Sequence, residues 1–200
     1  MSAHMEIERR FLVDGRTEKP WRSEAKSIHN IEQYYLQASN LTLDQDGNLC
    51  LSDVIMTRPS KEEIVIFESE PDWIPRIRIK DGVSIFTVKG PRQGASGLEL
   101  EWIVEDAAAA SVLRWGPFPN VKKTRYCVAG VDGFTWEIDE FEGGLAGLIL
   151  AEVELPSEQQ PVELPSWIGL ELTGLRNWSN AALAETLMAN LGINSCSVLK

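Results

Sequence analysis

Six segments of this chain carry charged side chains at every second position, and a seventh ends in a lysine. The first is Met5-Glu6-Ile7-Glu8-Arg9-Arg10-Phe11-Leu12-Val13, in which Glu6, Glu8 and Arg10 alternate with Ile7, Arg9 and Phe11. Arg76/Arg78, Glu99/Glu101, Lys123/Arg125, Glu137/Asp139 and Glu152/Glu154 repeat the spacing, and Lys89 closes Ser84-Ile85-Phe86-Thr87-Val88-Lys89. In an extended strand, residues two apart share a face. Each set therefore forms a charged face backed mainly by apolar residues such as Ile7, Ile77, Leu100, Ile138 and Val153. Carboxylate oxygens suit Mg²⁺ or Mn²⁺, whereas the guanidinium fork and the ammonium suit phosphate oxygens. Mixed sets of both kinds match a metal-bound polyanion. The plainer reading of any single set is cross-strand ion pairing on a solvated sheet.

The elements that must position these faces are short strands punctuated by turns. Ile31–Leu36 is rich in strand formers. Asp46-Gly47 between Leu41–Leu43 and Leu49–Leu51 predicts a hairpin, and Ile64–Phe67 predicts a further strand. Asp81-Gly82 and Asp132-Gly133 mark two more turns, and residues 90–97 read as a Gly-rich loop. Asp106 is placed to cap a helix over 107–115 ended by Gly116-Pro117. Ser179 caps a second over 180–191 ended by Gly192. Residues 156–168, with Pro156, Pro161 and Pro165, form a surface loop. About eight strands, no long linker and few helices predict an α+β chain: one antiparallel β-barrel-like domain over residues 5–195 with peripheral helices and an inserted hairpin at 39–73. In a small barrel one strand face lines the lumen. If helices cover the outside, the charged face can be the inner one.

The net charge of −11 and pI near 4.7 argue against broad nucleic-acid binding and against an anionic membrane surface. They leave room for a small anion, since local cations or a bound metal reverse the field inside a cavity. Cys50, Cys127 and Cys196 show no zinc-type spacing and read as free thiols in a reducing compartment. With no signal-peptide core and no membrane-length apolar run, the expected location is the cytoplasm. The seven tryptophans are dispersed, which suits packing rather than a base-stacking platform.

The chain resembles the CYTH family, or triphosphate tunnel metalloenzymes. Glu6-Ile7-Glu8-Arg9-Arg10 resembles its Glu-x-Glu-x-Lys signature. Gln33-x-Tyr35-Leu36, Arg76-x-Arg78, Val88-Lys89-Gly90, Glu99-x-Glu101, Lys123-x-Arg125-Tyr126, Glu137-x-Asp139 and Ala151-Glu152-Val153-Glu154 follow in family order, and Leu172-Thr173-Gly174 resembles the bacterial branch. The resemblance implies an eight-stranded tunnel that binds a small-molecule triphosphate with Mg²⁺ or Mn²⁺. It implies that Arg10, Arg76, Arg78, Lys89, Lys123 and Arg125 bind phosphate oxygens. Glu6, Glu8, Asp139, Glu152 and Glu154 become candidate metal ligands, with Glu99 and Glu101 as metal ligands or arginine orienters. Tyr35, which matches a tyrosine proposed as proton acceptor, and Lys89 become the catalytic candidates. The expected activity is metal-dependent hydrolysis of tripolyphosphate. Thiamine triphosphate hydrolysis, adenylate cyclisation, non-catalytic polyphosphate or nucleotide binding and a purely structural acidic domain are the alternatives. A homodimer stays open. Arg10 departs from the signature lysine, replacing a compact ammonium with a planar fork, and 39–73 is longer than in short relatives.

Overall fold

The structure is a computed structural model that describes residues 4–16 and 18–192. Cys196 and the end of the 5–195 span lie outside the described residues. Twelve strands and four α-helices are present among them. In chain order these are β1 (Met5–Val13), α1 (Trp21–Glu24), β2 (Ser27–Tyr35), β3 (Leu41–Leu43), β4 (Leu49–Leu51), β5 (Val54–Thr57), α2 (Lys61–Ser69) and β6 (Ile74–Lys80). There follow β7 (Val83–Gln93), β8 (Ser96–Ile103), α3 (Asp106–Leu113), β9 (Asn120–Ala129), β10 (Thr135–Phe141), β11 (Ile149–Glu154), β12 (Ile168–Glu171) and α4 (Asn180–Asn190).

The large sheet runs β11-β10-β9-β2-β6-β7-β8-β1, and β11 pairs back onto β1, so eight antiparallel strands close into a barrel. The first half of β1 pairs with β8 and its last residues with the short β12, so both its edges are occupied. Asp81 and Gly82, at φ 50° and 85°, make the tight β6–β7 turn. A residue pair with positive φ matches the twist of such hairpins, and the Asp81 carboxylate accepts from the Asn30 amide at 2.8 Å.

Most apolar strand residues face outward from the barrel and are buried there by peripheral elements. Ile77, Phe86, Val88 and Leu100 pack against Leu49, Leu51 and Met56 of the small β3-β4-β5 sheet and Ala109 and Val112 of α3. On the opposite flank Ile7, Phe11, Trp136, Ile138 and Val153 pack under Trp21 and Trp167. Each large side chain buried this way contributes about 1.5–3 kcal/mol. At one end α4 lays Ala184 against Tyr35, Val121, Phe141 and Leu150 and stoppers the barrel.

Four expectations are corrected. Ile64–Phe67 is not a strand but part of α2. Ser60 accepts from the Glu63 amide while the Glu63 carboxylate accepts from the Ser60 amide, a capping box that starts the helix. The 39–73 segment holds a third strand, β5, beyond the predicted hairpin. Residues 90–97 are not a loop: β7 continues to Gln93 across a register shift, and only Gly94 and Ala95 separate it from β8. Asp106 is not the cap of α3 but its first residue; Glu105 precedes it.

Candidate active site

Residues directly opposite on paired strands share a face, so the register traces the lumen wall. Glu8 stands opposite Glu154, and Arg10 opposite Glu152, which in turn faces Glu137. Asp139 stands opposite Arg125. Tyr35 faces Arg76 and Gln33 faces Arg78. Arg76 faces Thr87, Thr87 faces Glu101, and Lys89 faces Glu99. Glu6 and Glu99 meet through Lys89, whose ammonium pairs with both carboxylates. Every sequence-predicted site residue therefore lies on the inner face, because alternation fixes the face and closure brings the faces together.

The deepest charges form one network. Lys123 and Asp139 are 0% and 1% exposed and pair directly. The Arg125 guanidinium donates to both Asp139 oxygens at 2.6 Å through Nε and Nη2, and Nη2 reaches Glu152 at 2.8 Å. Arg10 donates Nε to Glu152 at 2.7 Å and Nη1 to the Trp178 carbonyl at 2.8 Å, tying the barrel to the turn that precedes α4. Burial works against the Asp139 charge, but Arg125 and Lys123 hold its carboxyl below the usual range. Glu152 behaves alike: burial is outweighed by Arg10 and Arg125, and its pKa falls well down. Lys123 goes the other way. Burial and the neighbouring Arg125 charge push it down to about 8, against the pull of Asp139.

The facing wall carries Arg76, Arg78 and Lys89. Arg76 Nη2 lies 3.2 Å from Thr87 Oγ1 and from Glu99, and Glu101 is 3.6 Å from both arginines. Burial and the Arg76 charge lower the Arg78 pKa. The Nε groups of Arg76, Arg78 and Arg92 and the Oε1 of Gln33 are buried without a hydrogen-bond partner. Buried guanidinium N–H groups left bare are costly, and here they line a polar lumen. The Tyr35 hydroxyl accepts from Gln33 Nε2 at 2.9 Å. Burial raises the Tyr35 pKa although Arg76 and Lys89 oppose it, so at neutral pH it stands as a phenol with a proton to give.

Carboxylates crowd the open end. A cavity of about 390 Å³ there is lined by Phe134, Thr135, Glu137, Glu154 and Pro156 among others. Burial, followed by the charges of Glu6, Glu137, Glu99 and Glu8, raises the Glu154 pKa. Such mutual repulsion among hard oxygen donors is what a divalent cation relieves, so this donor set fits one. Among the described residues no three acidic, histidine or cysteine side chains close on a single point, since each inner carboxylate but Glu154 is drawn to an arginine or lysine.

Two residues escaped the sequence-based site. Glu137 pairs with Arg125 at the mouth; its i, i+2 relation to Asp139 was the available signal. Arg92 reaches Glu8 from β7, and its signal was Gly90-Pro91 inside a strand pattern, which marks a bulge.

No family model matches the chain. An inorganic triphosphatase of Acetivibrio thermocellus is 38% identical over 122 residues, spanning 60% of this chain and 78% of that protein. An inorganic triphosphatase of Nitrosomonas europaea is 44% identical over 70 residues, or 34% of this chain and 46% of that one. The crystal structure of the inorganic triphosphatase NE1496 superimposes with a TM-score of 0.54 at 25% identity, covering 90% of this chain and 93% of the other. With the closed barrel, the inward charges and these likenesses together, the chain belongs to the CYTH, or triphosphate tunnel metalloenzyme, family.

Proposed function

We propose that this protein is a divalent-metal-dependent triphosphatase that hydrolyses inorganic tripolyphosphate to pyrophosphate and phosphate inside the barrel. The observation that carries the reading is the balance of charge on the inner face. Arg10, Arg76, Arg78, Lys80, Lys89, Arg92, Lys123 and Arg125 are matched by Glu6, Glu8, Glu99, Glu101, Glu137, Asp139, Glu152 and Glu154. A lumen neutral in sum but dense in separated charge discriminates by arrangement. A triphosphate brings roughly four to five negative charges, and placing them in a neutral, partly desolvated lumen requires added cations. Magnesium or manganese supplies that charge and, when bound, polarises phosphate oxygens as a Lewis acid.

The residues then divide by their surroundings. Arg76, Arg78, Lys89, Lys123, Arg125 and Arg10 bind phosphate oxygens, Arg76 and Arg78 with their unpartnered Nε–H groups. Glu6, Glu8 and Glu154 hold the metal, the last because its neighbours already repel it. Asp139 and Glu152, saturated by cations, orient Lys123, Arg125 and Arg10, while Glu99 and Glu101 orient Arg76 and Arg78. Tyr35, protonated and backed by Gln33, donates to a phosphoryl oxygen. Positioning and charge stabilisation supply most of the catalysis of phosphoryl transfer. The relatives named inorganic triphosphatases support tripolyphosphate over thiamine triphosphate or ATP as substrate.

Phosphate release from tripolyphosphate, ATP and thiamine triphosphate with Mg²⁺ or Mn²⁺ tests the reading. The wild type should act on tripolyphosphate, chelation should stop it, and Lys89→Ala and Glu8→Ala should each lose at least about a hundredfold while melting as folded proteins. Full activity in both variants refutes the site.

A further inference from the structure

Arg92 reaches the inner face by a route that simple alternation forbids. Lys89 and Arg92 are three residues apart, so in a regular strand they would point to opposite sides. The register shifts between them: Lys89 stands opposite Glu99, but Arg92 stands opposite Gly97. Gly97 is in turn opposite Glu6 on β1. The extra residue of the bulge lies at Gly90-Pro91, where proline has no N–H to lose from the ladder.

Gly97 is the seat for this side chain. A Cβ built there would lie 2.8 Å from Arg92 Cγ, 3.3 Å from Nε and 3.5 Å from Cδ. Any larger residue would displace the root of the arginine, not its mobile tip. Gly97 does not have the positive φ that would otherwise explain a glycine in a strand. From this seat Arg92 Nη2 donates to the Ala95 carbonyl at 3.0 Å and lies 3.6 Å from Glu6, and Nη1 pairs with Glu8. Its Nε is buried and unpartnered.

We propose that Arg92, seated over Gly97, is a further phosphate-binding residue of the lumen. Its pairing with Glu8 is the resting arrangement, exchanged for a phosphate oxygen when substrate and metal arrive. Arg92 and Arg10 both pair with the same oxygen of Glu8, Oε1, so releasing Arg92 relieves that oxygen of one cation and leaves it paired with Arg10. The fork geometry matches a phosphoryl group bidentately, and the Nε–H that finds no acceptor in the resting barrel finds one there. This inference rests on the triphosphatase reading.

The test is steady-state hydrolysis of tripolyphosphate over a Mg²⁺ series by wild type, Arg92→Ala, Arg92→Lys, Gly97→Ala and the Arg92→Ala/Gly97→Ala double variant, with thermal melts as a control of folding. Arg92→Ala should raise KM about tenfold or more with a much smaller change in kcat. Arg92→Lys should recover part of that loss. Gly97→Ala should reproduce Arg92→Ala, and the double variant should be no worse than Arg92→Ala alone, because both substitutions remove one contact. If Arg92→Ala fails to fold, Arg92→Lys and Gly97→Ala decide. KM within twofold of wild type in the folded variants overturns the proposal. So does a lower Mg²⁺ requirement at unchanged KM, which would show that Arg92 only restrains Glu8. A wild type that neither binds nor hydrolyses tripolyphosphate overturns the triphosphatase reading and this one with it, whereas an active wild type with unaffected variants overturns this one alone.

Discussion

Lys123→Met should leave the barrel about as stable as the wild type while removing most of its turnover. Lys123 is wholly buried, and burial together with Arg125 brings its pKa from 10.5 to about 8. That difference corresponds to about 3 kcal/mol that folding forgoes to keep an ammonium there at neutral pH. Against it stands what Asp139 loses. Stripping a buried carboxylate of its partner costs about 3–5 kcal/mol when nothing remains to compensate it. Arg125 still donates twice to Asp139 at 2.6 Å, so the loss belongs at or below the low end of that range. Methionine has similar length, and a thioether beside the Phe141 ring, now 5.6 Å from the Lys123 ammonium, is a favourable contact. The two effects nearly cancel, to within about 1 kcal/mol.

Denaturant melts at a series of pH values read this balance directly. A lysine whose folded pKa is depressed binds fewer protons folded than unfolded between about 8 and 10.5. Its cost is therefore complete below about pH 8 and fades as pH rises toward 10.5. Wild-type stability should climb relative to Lys123→Met across that window. In the free enzyme kcat/KM should fall as pH rises through about 8, where Lys123 loses its charge, and Lys123→Met should lose about a hundredfold or more at every pH. A destabilisation above about 3 kcal/mol at pH 7, with a gap that does not change between pH 8 and 10.5, would refute the reasoning: Lys123 would then be a structural cation.

Tyr35→Phe removes a hydroxyl that Gln33 already donates to, so it should cost about 1–2 kcal/mol of stability through the orphaned amide. Its kcat for tripolyphosphate should drop about tenfold or more; a change confined to the melting temperature would make Tyr35 a packing residue. Glu140, on the outside of β10, is held down to about 2 by the Arg22 hydrogen bonds, with Trp21 and Lys19 adding to them against burial. A carboxyl with a depressed folded pKa stabilises above 4.5 and loses that contribution as pH falls through about 2. Arg22 is half exposed, so Glu140→Gln should cost only about 1–2 kcal/mol at pH 7, with the gap closing on acidification and tripolyphosphate turnover unchanged.

Glu6/Glu8, Arg76/Arg78 and Glu152/Glu154 were legible as lumen residues because alternation is local and barrel closure does the rest. Chain order could not tell that Asp139 is saturated by Lys123 and Arg125 while Glu154 is crowded by like charges, since that depends on which strands become neighbours across the closed wall. Arg92 was hidden for a different reason: one extra residue at Gly90-Pro91 reverses the face of everything after it. The capping box of Ser60 and Glu63 was readable, but Ile64–Phe67 offers the apolar, β-branched run of a strand, and a cap is a weaker signal than composition.

The same alternation explains the elements that take no part in the chemistry. A strand that turns Arg76, Arg78 or Glu99 into the lumen necessarily turns Ile77 or Leu100 outward. The charged bore thus transfers the burden of stability to the outer surface, which must be covered by something else. Residues 39–73 supply part of that cover. β4 and β5 bury Leu49, Leu51 and Met56 against the outer faces of β6, β7 and β8. α2 is fastened there by the Trp102 indole, which donates to Glu63 at 3.0 Å, and by the Trp73 indole, which donates to the Phe67 carbonyl at 2.8 Å. Glu63 thus closes the cap of α2 and holds the helix to the barrel with one carboxylate. Residues 39–73 are, in physical terms, the counterpart of the arginines: the inner wall can be charged because the outer wall is dry.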